Sequence, residues 1–261
     1  MTNAEREQEA SHSKLALPKS PDYLNLESAP EKLWGNHRFN ALKDIDSALV
    51  ADSPMIYLDR RLVTLLLTRI KMFEKIIDVQ GSVVECGVHR GNSLMTYYHL
   101  SSILEPVAYN RKIIGFDTFD GFPSTSENDP SGVPLGGMKD VSYEHLLEWI
   151  SIQDKNRAIS HIPKVELVRG DACLTIPQYV KENPHLIVSL LYLDFDLYEP
   201  TLMALKHLLP LVPKGGLIGF DEVNERKWAG ETIALKEAIG LSNIKLKRFY
   251  FDAHVSYFIV E

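Results

Sequence analysis

One stretch decides the fold, Leu186-Ile187-Val188-Ser189-Leu190-Leu191-Tyr192-Leu193, and it runs directly into Asp194-Phe195-Asp196. A second apolar run, Gly215–Phe220, likewise stops at Asp221-Glu222. The carboxyl ends of neighbouring parallel strands meet at one crevice of an open α/β sheet, where such sheets bind ligands. Crowded carboxylates repel one another unless protons or a cation join them. The pattern therefore predicts two buried strands whose acidic ends hold a divalent metal ion.

Strand and helix patterns alternate on both sides of this stretch. Short apolar runs predict strands at Ser82–Cys86, Lys112–Phe116, Lys164–Val168, Leu186–Leu193 and Gly215–Phe220. The segments between them predict helices at Asn92–Leu104, Ser142–Gln153, Leu174–Glu182 and Thr201–Leu209. Alternation of this kind is typical of a parallel sheet with right-handed crossovers.

The segments before and after this alternation complete the expected α/β fold. Apolar residues at steps of three and four predict one amphipathic helix over Pro54–Val79. Near the C-terminus, two alternating segments, Lys245–Phe251 and Val255–Val260, are joined by only Asp252-Ala253-His254, which demands a hairpin. We expect a Rossmann-like sheet that is mostly parallel, ends in an antiparallel C-terminal hairpin and is flanked by helices.

Composition limits the classes of protein that this chain can belong to. With 261 residues, 45% of them hydrophobic, it can bury one substantial core. The net charge of -7 argues against nucleic acid or an anionic membrane as a partner. We expect residues 1–53 to form an N-terminal arm and candidate lid, and residues 54–261 to form the catalytic domain. A polar N-terminus and two cysteines without metal or redox spacing indicate a cytoplasmic protein.

The turn after the first predicted strand carries Glu85-Cys86-Gly87 and then Gly91-Asn92-Ser93. Its glycines permit a sharp turn and a close approach to a ligand, and the next helix begins with unpaired amides. The G-x-x-x-G spacing differs from the G-x-G-x-x-G of pyrophosphate-binding turns. Glu85 would repel a pyrophosphate and suits a ligand with an ammonium group. The alternative is a turn that serves chain reversal alone.

Two further polar pairs follow the second and third predicted strands. Asp117-Thr118 could accept hydrogen bonds from ribose hydroxyls, or Asp117 could anchor a loop or cap a helix. Asp171-Ala172 could reach an adenine amino group, although a helix cap explains Asp171 equally well. Together with the glycine turn, these pairs favour a nucleoside ligand.

The acids at the last two predicted parallel strands are candidate metal ligands. Asp194, Asp196, Asp221 and Glu222 offer hard oxygen donors, and no Cys/His cluster accompanies them. Such a donor set favours Mg²⁺, Mn²⁺ or Ca²⁺ over zinc. The alternative is that these acids are solvated strand ends and helix caps.

Five segments, in order along the chain, resemble the macrocin O-methyltransferase family, which includes the mycinamicin and novobiocin sugar O-methyltransferases. The segments are Met55-Ile56-Tyr57-Leu58-Asp59-Arg60, Val84-Glu85-Cys86-Gly87-Val88-His89-Arg90-Gly91, Asp117-Thr118-Phe119-Asp120-Gly121-Phe122-Pro123, Asp194-Phe195-Asp196-Leu197-Tyr198-Glu199-Pro200-Thr201 and Gly215-Gly216-Leu217-Ile218-Gly219-Phe220-Asp221-Glu222. The resemblance implies the class I methyltransferase fold, with S-adenosyl-L-methionine as methyl donor and Mg²⁺ as the metal.

The resemblance also implies roles for individual residues. Asp194, Asp221 and Glu222 are expected to bind the metal, with Asp196 as general base and Asp194 as a further catalytic residue. The expected cofactor residues are Glu85, Cys86, Gly87, Gly91, Asn92, Ser93, Asp117, Thr118, Asp171 and Ala172. The family's usual Asp-Asp-Tyr is replaced here by Asp221-Glu222-Val223, so the metal is expected to sit differently or to be held through water.

The sequence therefore predicts a metal-dependent O-methyltransferase that acts on a hydroxyl of a sugar or sugar-like metabolite. The partner is a small-molecule acceptor, with neither nucleic acid nor membrane involved, and a homo-oligomer is compatible with the sequence. Three alternatives remain open: a catechol-type small-molecule O-methyltransferase, a nicotinamide-dependent oxidoreductase, and a non-catalytic S-adenosylmethionine-binding protein.

Overall fold

The computed structural model describes residues 37–43, 45–138 and 142–261. Most of the expected N-terminal arm, residues 1–36 and 44, lies outside the described residues, as does Lys139, the last residue of the long loop Thr118–Lys139 that follows the second predicted strand. Contacts divide the chain into two units, residues 1–59 and 60–261. The role of residues 1–53 as an arm and lid, and the boundary of the catalytic domain, stay predictions.

The first unit contains the short helices α1 (Ser47–Asp52) and α2 (Pro54–Tyr57), and residues 37–42 before them are helical as well. Asp46 caps α1 because its side chain accepts a hydrogen bond from the Ala48 N–H at 2.9 Å. The Arg38 guanidinium donates to the Tyr57 carbonyl at 2.7 Å and so ties the end of α2 to residues before α1.

The second unit is built on one seven-stranded sheet. Its strands are β1 (Ser82–Cys86), β2 (Ile113–Asp117), β3 (Val165–Arg169), β4 (Val188–Leu193), β5 (Leu217–Phe220), β6 (Lys247–Arg248) and β7 (Ser256–Ile259). Their order is β3-β2-β1-β4-β5-β7-β6, and all pairs from β3 to β5 are parallel. The order reverses between β1 and β4, which is the switch point where such sheets open a crevice.

Helices cover both faces of this sheet. They are α3 (Arg60–Phe73), α4 (Asn92–Leu104), α5 (Tyr143–Asp154), α6 (Ala172–Glu182), α7 (Tyr198–Leu208) and α8 (Gly230–Ala238), with 3-10 turns at Leu209–Leu211 and Leu241–Asn243. Helices α3, α4 and α5 contribute to one apolar core, and α6, α7 and α8 contribute to the other. Successive residues of a strand face opposite sides, so Val83 enters the first core and Val84 the second. No helix in the described part of the chain is long and apolar enough to cross a bilayer.

The predicted mostly parallel sheet with an antiparallel end is confirmed. Strand β7 runs antiparallel to both β5 and β6, so the hairpin closes the sheet as the short Asp252-Ala253-His254 connection required. The hairpin strands are shorter than predicted, because β6 covers only Lys247–Arg248. Phe249 leaves the ladder there and stacks on Tyr257, with ring centroids 4.8 Å apart.

The prediction of one continuous helix over Pro54–Val79 is wrong at both ends. The backbone at Leu58 is extended, with ψ 140°, which separates α2 from α3. Helix α3 stops at Phe73. Beyond it, the carbonyl of Val79 accepts a hydrogen bond from Arg111 at 2.9 Å, and longer contacts reach the carbonyls of Ile76 and Ile77. A side chain distant in sequence thus satisfies carbonyls left without helical partners.

Arg111 is a buried cross-link at the amino end of the sheet. Its guanidinium donates to the Gly81 carbonyl at 2.9 Å and to the Ser189 hydroxyl at 2.6 Å, and it pairs with Glu105 at 2.9 Å. Because these groups belong to β4 and to the segments before β1 and after α4, one side chain holds three parts of the chain together.

We predict that Arg111→Met lowers the free energy of unfolding by about 3–5 kcal/mol, because it leaves buried acceptors and Glu105 without their partner. Lys71→Met is the control, since Lys71 pairs with Glu74 in an exposed helical position, and we expect a change within about 0.5 kcal/mol. Urea denaturation of both variants measures the difference. Equal stability of the two variants would show that Arg111 is not a structural cross-link.

Candidate active site

One cavity of about 320 Å³ lies at the carboxyl ends of β1, β2 and β4. It brings together twelve of the predicted site residues: Glu85, Gly87, Asn92, Ser93, Asp117, Thr118, Asp171, Ala172, Asp194, Asp196, Asp221 and Glu222. Two predicted residues do not line it. Cys86 is buried in the core below, and Gly91 packs near Leu146 as the N-cap of α4. Their prediction as cofactor contacts has no support from this cavity, because both face away from it.

The floor of the cavity is a close approach between the turn after β1 and the end of β4. A Cβ added to Gly87 would lie 1.9 Å from the Asp194 carbonyl oxygen, and the residue has φ +92°. The Asp194 N–H donates to the Cys86 carbonyl at 2.8 Å. Only glycine satisfies both the space and the dihedral angle at position 87.

Asp117, the expected ribose ligand, anchors two loops. One carboxylate oxygen accepts from the N–H groups of Val88 at 2.8 Å and His89 at 2.9 Å. The other accepts from Phe119 N–H at 2.7 Å. This is the loop-anchoring alternative that the sequence left open, and the side chain still borders the cavity. Contact with a ribose therefore stays a prediction.

Asp171, the expected adenine contact, acts as a helix cap. Its carboxylate accepts a hydrogen bond from the Cys173 N–H at 2.9 Å and so begins α6. The residue lines the cavity as well. The capping alternative is observed, and a role toward adenine stays a prediction.

A buried polar chain runs beneath the cavity from Arg69 to Glu85. The Arg69 guanidinium donates to the Ser93 hydroxyl at 2.9 Å, and Ser93 hydrogen-bonds Glu85. Burial raises the pKa of Glu85 to about 8, against the opposing charge of Arg69. The Oε2 atom of Glu85 has no hydrogen-bond partner. A buried carboxylate oxygen that borders the cavity in this way suits a cationic ligand group.

Arg69 also contacts the group of metal-ligand candidates. This role was not predicted from the sequence. Arg69 donates to the Tyr192 hydroxyl at 2.6 Å and lies 3.8 Å from Asp221, and Tyr192 donates to Asp221. Its guanidinium carbon sits 3.9 Å from the Tyr192 ring centroid. Arg69 was hidden in the periodic pattern of a helix, and Tyr192 in an apolar strand run, so neither stood out as polar machinery.

Four predicted acids crowd the opposite wall. Burial and the charges of Asp221 and Asp196 raise the pKa of Asp194 well above its usual value. Burial also raises the pKa of Asp196, which adopts φ +62° and hydrogen-bonds Glu222. Burial and the charge of Asp196 raise the pKa of Glu222 to about 12. Both shifts favour a proton shared in the hydrogen bond between Glu222 and Asp196.

A fifth acid, Glu231, supports this wall from behind and was not predicted. It has no solvent exposure, and its carboxylate accepts from the Glu222 N–H at 3.0 Å and from the Phe195 N–H. Glu231 lies in the first turn of α8, a helix that was not predicted from the sequence. A glutamate one residue after Gly230, at a helix start, was the available signal.

The donor chemistry of this wall fits Mg²⁺, because every candidate is a hard oxygen and the buried Oε2 of Glu222 lacks a hydrogen-bond partner. Among residues 37–43, 45–138 and 142–261, however, no three His, Cys, Asp or Glu side chains form a metal-binding arrangement. In the described geometry, protons bound by the acids with raised pKa values and the Arg69 guanidinium offset the negative charge of this wall. A metal would require side chains such as Glu222 to turn.

A family model for the macrocin-O-methyltransferases (TylF) matches residues 37–244 of the chain. The chain belongs to the macrocin-O-methyltransferase family. The match agrees with the observed sheet order and with the cavity at the switch point, so the expected family and fold class are both confirmed. The protein is an S-adenosylmethionine-dependent O-methyltransferase. This membership favours methyl transfer over the alternatives of a nicotinamide-dependent oxidoreductase and a non-catalytic binding protein.

Several solved structures are similar to this family member. The calicheamicin methyltransferase CalS11 is 30% identical with a TM-score of 0.84, over 89% of this chain and 93% of that chain. An apo structure of CalS11, described as a TDP-rhamnose 3'-O-methyltransferase, is 29% identical with a TM-score of 0.76, over 89% and 95%. The O-methyltransferase NovP is 22% identical with a TM-score of 0.57, over 77% and 79%, and so supports the fold alone. No curated protein sequence matches the chain.

The raised pKa of Glu85 makes a prediction for the stability of the ligand-free enzyme. The folded state keeps this proton up to about pH 8, whereas the unfolded chain loses it above the ordinary glutamate pKa of 4.5. The folded state therefore binds more protons between these values, and stability falls as pH rises through this window. For one such group the slope is about 1.4 kcal/mol per pH unit.

We expect Glu85→Gln to remove that slope, so that the wild type loses stability relative to the variant from pH 5 to pH 8. Chemical denaturation at each pH, with chelator and without S-adenosylmethionine, measures the difference. Parallel stability curves for the two proteins would contradict the buried, protonated state of Glu85.

Proposed function

We propose that this enzyme transfers the methyl group of S-adenosylmethionine to a hydroxyl of a sugar or sugar-linked metabolite, with Mg²⁺ as a second cofactor. The observation that carries the proposal is the pairing of Asp196 with Glu222 in the same cavity as Glu85 and Asp117. A proton acceptor thus lies in one cavity with the residues expected to hold the methyl donor. The description of CalS11 as a TDP-rhamnose 3'-O-methyltransferase supports a sugar as the acceptor class.

The methyl donor is proposed to lie along β1 and β2. The unpartnered Oε2 of Glu85 would accept from its ammonium group, and the turn at Gly87 admits close approach. Asp117 has three backbone donors on its carboxylate and would use remaining lone pairs for the ribose. When bound, S-adenosylmethionine supplies an electrophilic methyl carbon on a positively charged sulfur.

Asp196 is proposed as the general base for the acceptor hydroxyl. A hydroxyl is a poor nucleophile at neutral pH, so a carboxylate that takes its proton as the new C–O bond forms lowers the barrier. Burial raises the pKa of Asp196 above its usual value, which makes it a stronger base. Before a metal binds, the proton shared with Glu222 holds this carboxylate in place, and the left-handed φ of Asp196 turns it out of the strand line.

Asp194, Asp221 and Glu222 are proposed to hold Mg²⁺. When bound, the ion would stabilise the negative charge that develops on the acceptor oxygen. Tyr192 and Arg69 would fix the orientation of Asp221. A catechol-type acceptor remains the alternative to a sugar, since adjacent oxygens on either would suit this wall. Cytoplasmic location and homo-oligomer formation stay predictions.

The proposed donor site is tested by calorimetry of S-adenosylmethionine binding. We expect Asp117→Ala to weaken binding at least tenfold, because it removes the ribose acceptor and releases two anchored loops. Asp78→Ala, an exposed residue outside the cavity, should bind as the wild type does. Tight binding by both variants would show that Asp117 does not contribute to the donor site.

The proposed base is tested by turnover of a panel of sugar and nucleotide-sugar acceptors that includes TDP-rhamnose. We expect Asp196→Asn to lower kcat by roughly 10²- to 10⁴-fold, while S-adenosylmethionine binds with unchanged affinity. Full activity of Asp196→Asn would remove this residue from the mechanism.

The proposed metal site is tested by titrating MgCl₂ into chelator-treated enzyme. We expect binding heat with the wild type and its loss in Asp221→Asn, together with loss of turnover in EDTA that Mg²⁺ restores. Turnover that is unaffected by thorough chelation would rule the ion out as a cofactor.

A further inference from the structure

An aromatic pair adjoins the cavity through Phe122. Phe122 and Trp228 have ring centroids 6.1 Å apart at an interplanar angle of 42°, and both side chains are half-buried. They come from segments a hundred residues apart, the long loop after β2 and the segment between β5 and α8. The roles proposed above for the methyl-donor residues and for the acids do not involve these two rings.

Phe122 is fixed in the wall of the cavity by its own backbone. Its N–H donates to the Gly137 carbonyl at 3.3 Å, and its carbonyl accepts from Gly136 N–H at 3.0 Å. A Cβ added to the preceding Gly121 would lie 2.3 Å from the Gly137 oxygen, so this pinch in the loop requires glycine. Phe122, Gly121 and Gly137 all line the cavity that contains Asp196. The ring is thus held by a paired stretch of backbone within the long loop.

The segment that carries Trp228 is fixed on the other side. The Asn224 N–H donates to the Thr232 hydroxyl of α8 at 2.9 Å, and the Glu222 N–H donates to Glu231. Trp228 lies in the chain between Asn224 and Thr232, which this hydrogen bond joins. The Lys227 ammonium lies 5.7 Å from the centroid of the Trp228 ring. The charge of Lys227 acts on Asp196, which places this segment close to the proposed base.

A sugar ring has an apolar C–H face and a polar hydroxyl edge. Binding sites join aromatic surface, which covers the apolar face, to a few polar groups that orient the ligand. Here Phe122 lines the same cavity as Asp196, the carboxylate that would take the acceptor proton, and the Trp228 ring packs beside Phe122. A flat ring packed on the pair would turn its hydroxyl edge toward Asp196.

We propose that Phe122 and Trp228 form the acceptor subsite, on which the acceptor's sugar ring packs with its reacting hydroxyl directed at Asp196. This proposal rests on the function proposed above and adds the surface that selects the acceptor. Segment 223–229, where the chain departs from the family's Asp-Asp-Tyr pattern, then determines which sugar binds.

The test compares two ligands, TDP-rhamnose and TDP, in calorimetry with S-adenosylhomocysteine present. We expect Trp228→Ala and Phe122→Ala to raise the Kd of TDP-rhamnose about tenfold and to leave the Kd of TDP within twofold, because only the sugar ring packs on the pair. Trp228→Phe should restore the TDP-rhamnose affinity to within about threefold. Trp149→Ala, an exposed tryptophan of α5 outside this cavity, is the matched control.

S-adenosylmethionine binding separates this proposal from the one on which it rests. The aromatic variants should bind S-adenosylmethionine as the wild type does, and a parallel loss in Trp228→Ala would indicate a purely structural residue and overturn the subsite. Equal weakening of TDP and TDP-rhamnose would place the nucleobase, not the sugar, on the pair and would also overturn it. Wild type that binds S-adenosylmethionine but not TDP-rhamnose defeats the subsite alone, whereas wild type that binds no S-adenosylmethionine defeats the proposed function.

Discussion

The structure depends on how one buried guanidinium offsets a set of buried acids. Arg69 reaches Ser93 and Glu85 on the β1 side and Tyr192 and Asp221 on the β4–β5 side. Isolated buried carboxylates are costly, so they persist only when a cation, a proton or hydrogen-bond donors accompany them. Arg69 supplies the cation for both halves of the cavity. The halves expected to hold donor and acceptor are therefore linked electrostatically through one side chain of α3.

The fold was largely predictable because its signals are local. Apolar runs that end in acids, such as the one before Asp194, mark buried parallel strands, and the three-residue connection after Phe251 forces an antiparallel pair. The errors occur where distant residues decide. The helix predicted to Val79 stops early, since Arg111 satisfies the carbonyls beyond Phe73. Helix α8 was missed because its short, mixed sequence after Trp228 has little periodicity of its own.

The site residues likewise fall into two groups, those that local motifs predict and those that distant packing brings into place. Motifs at strand ends placed twelve predicted residues in one cavity, because the carboxyl ends of parallel strands converge whatever the helices do. What the motifs could not give was the support behind them. Arg69 and Glu231 lie on helices whose packing brings them to the acids, and no spacing in the sequence relates either residue to Asp196 or Glu222. Asp117 and Asp171 were predicted as ligand contacts, but each also has a structural role. A sequence motif alone does not distinguish that role from ligand binding.

Glu222 contacts both the predicted acid Asp196 and the supporting acid Glu231. A longer side chain than aspartate allows its carboxyl to reach back to Asp196 and share a proton, while its own N–H is held by Glu231. The same reach makes the proton and a metal ion competitors for Asp196 and Glu222, because a bound cation would favour the ionised form of both. The glutamate at this position thus affects how the charge of the acidic wall is balanced. It does so next to segment 223–229, which carries Trp228, so charge balance and acceptor choice would vary together in this part of the sequence.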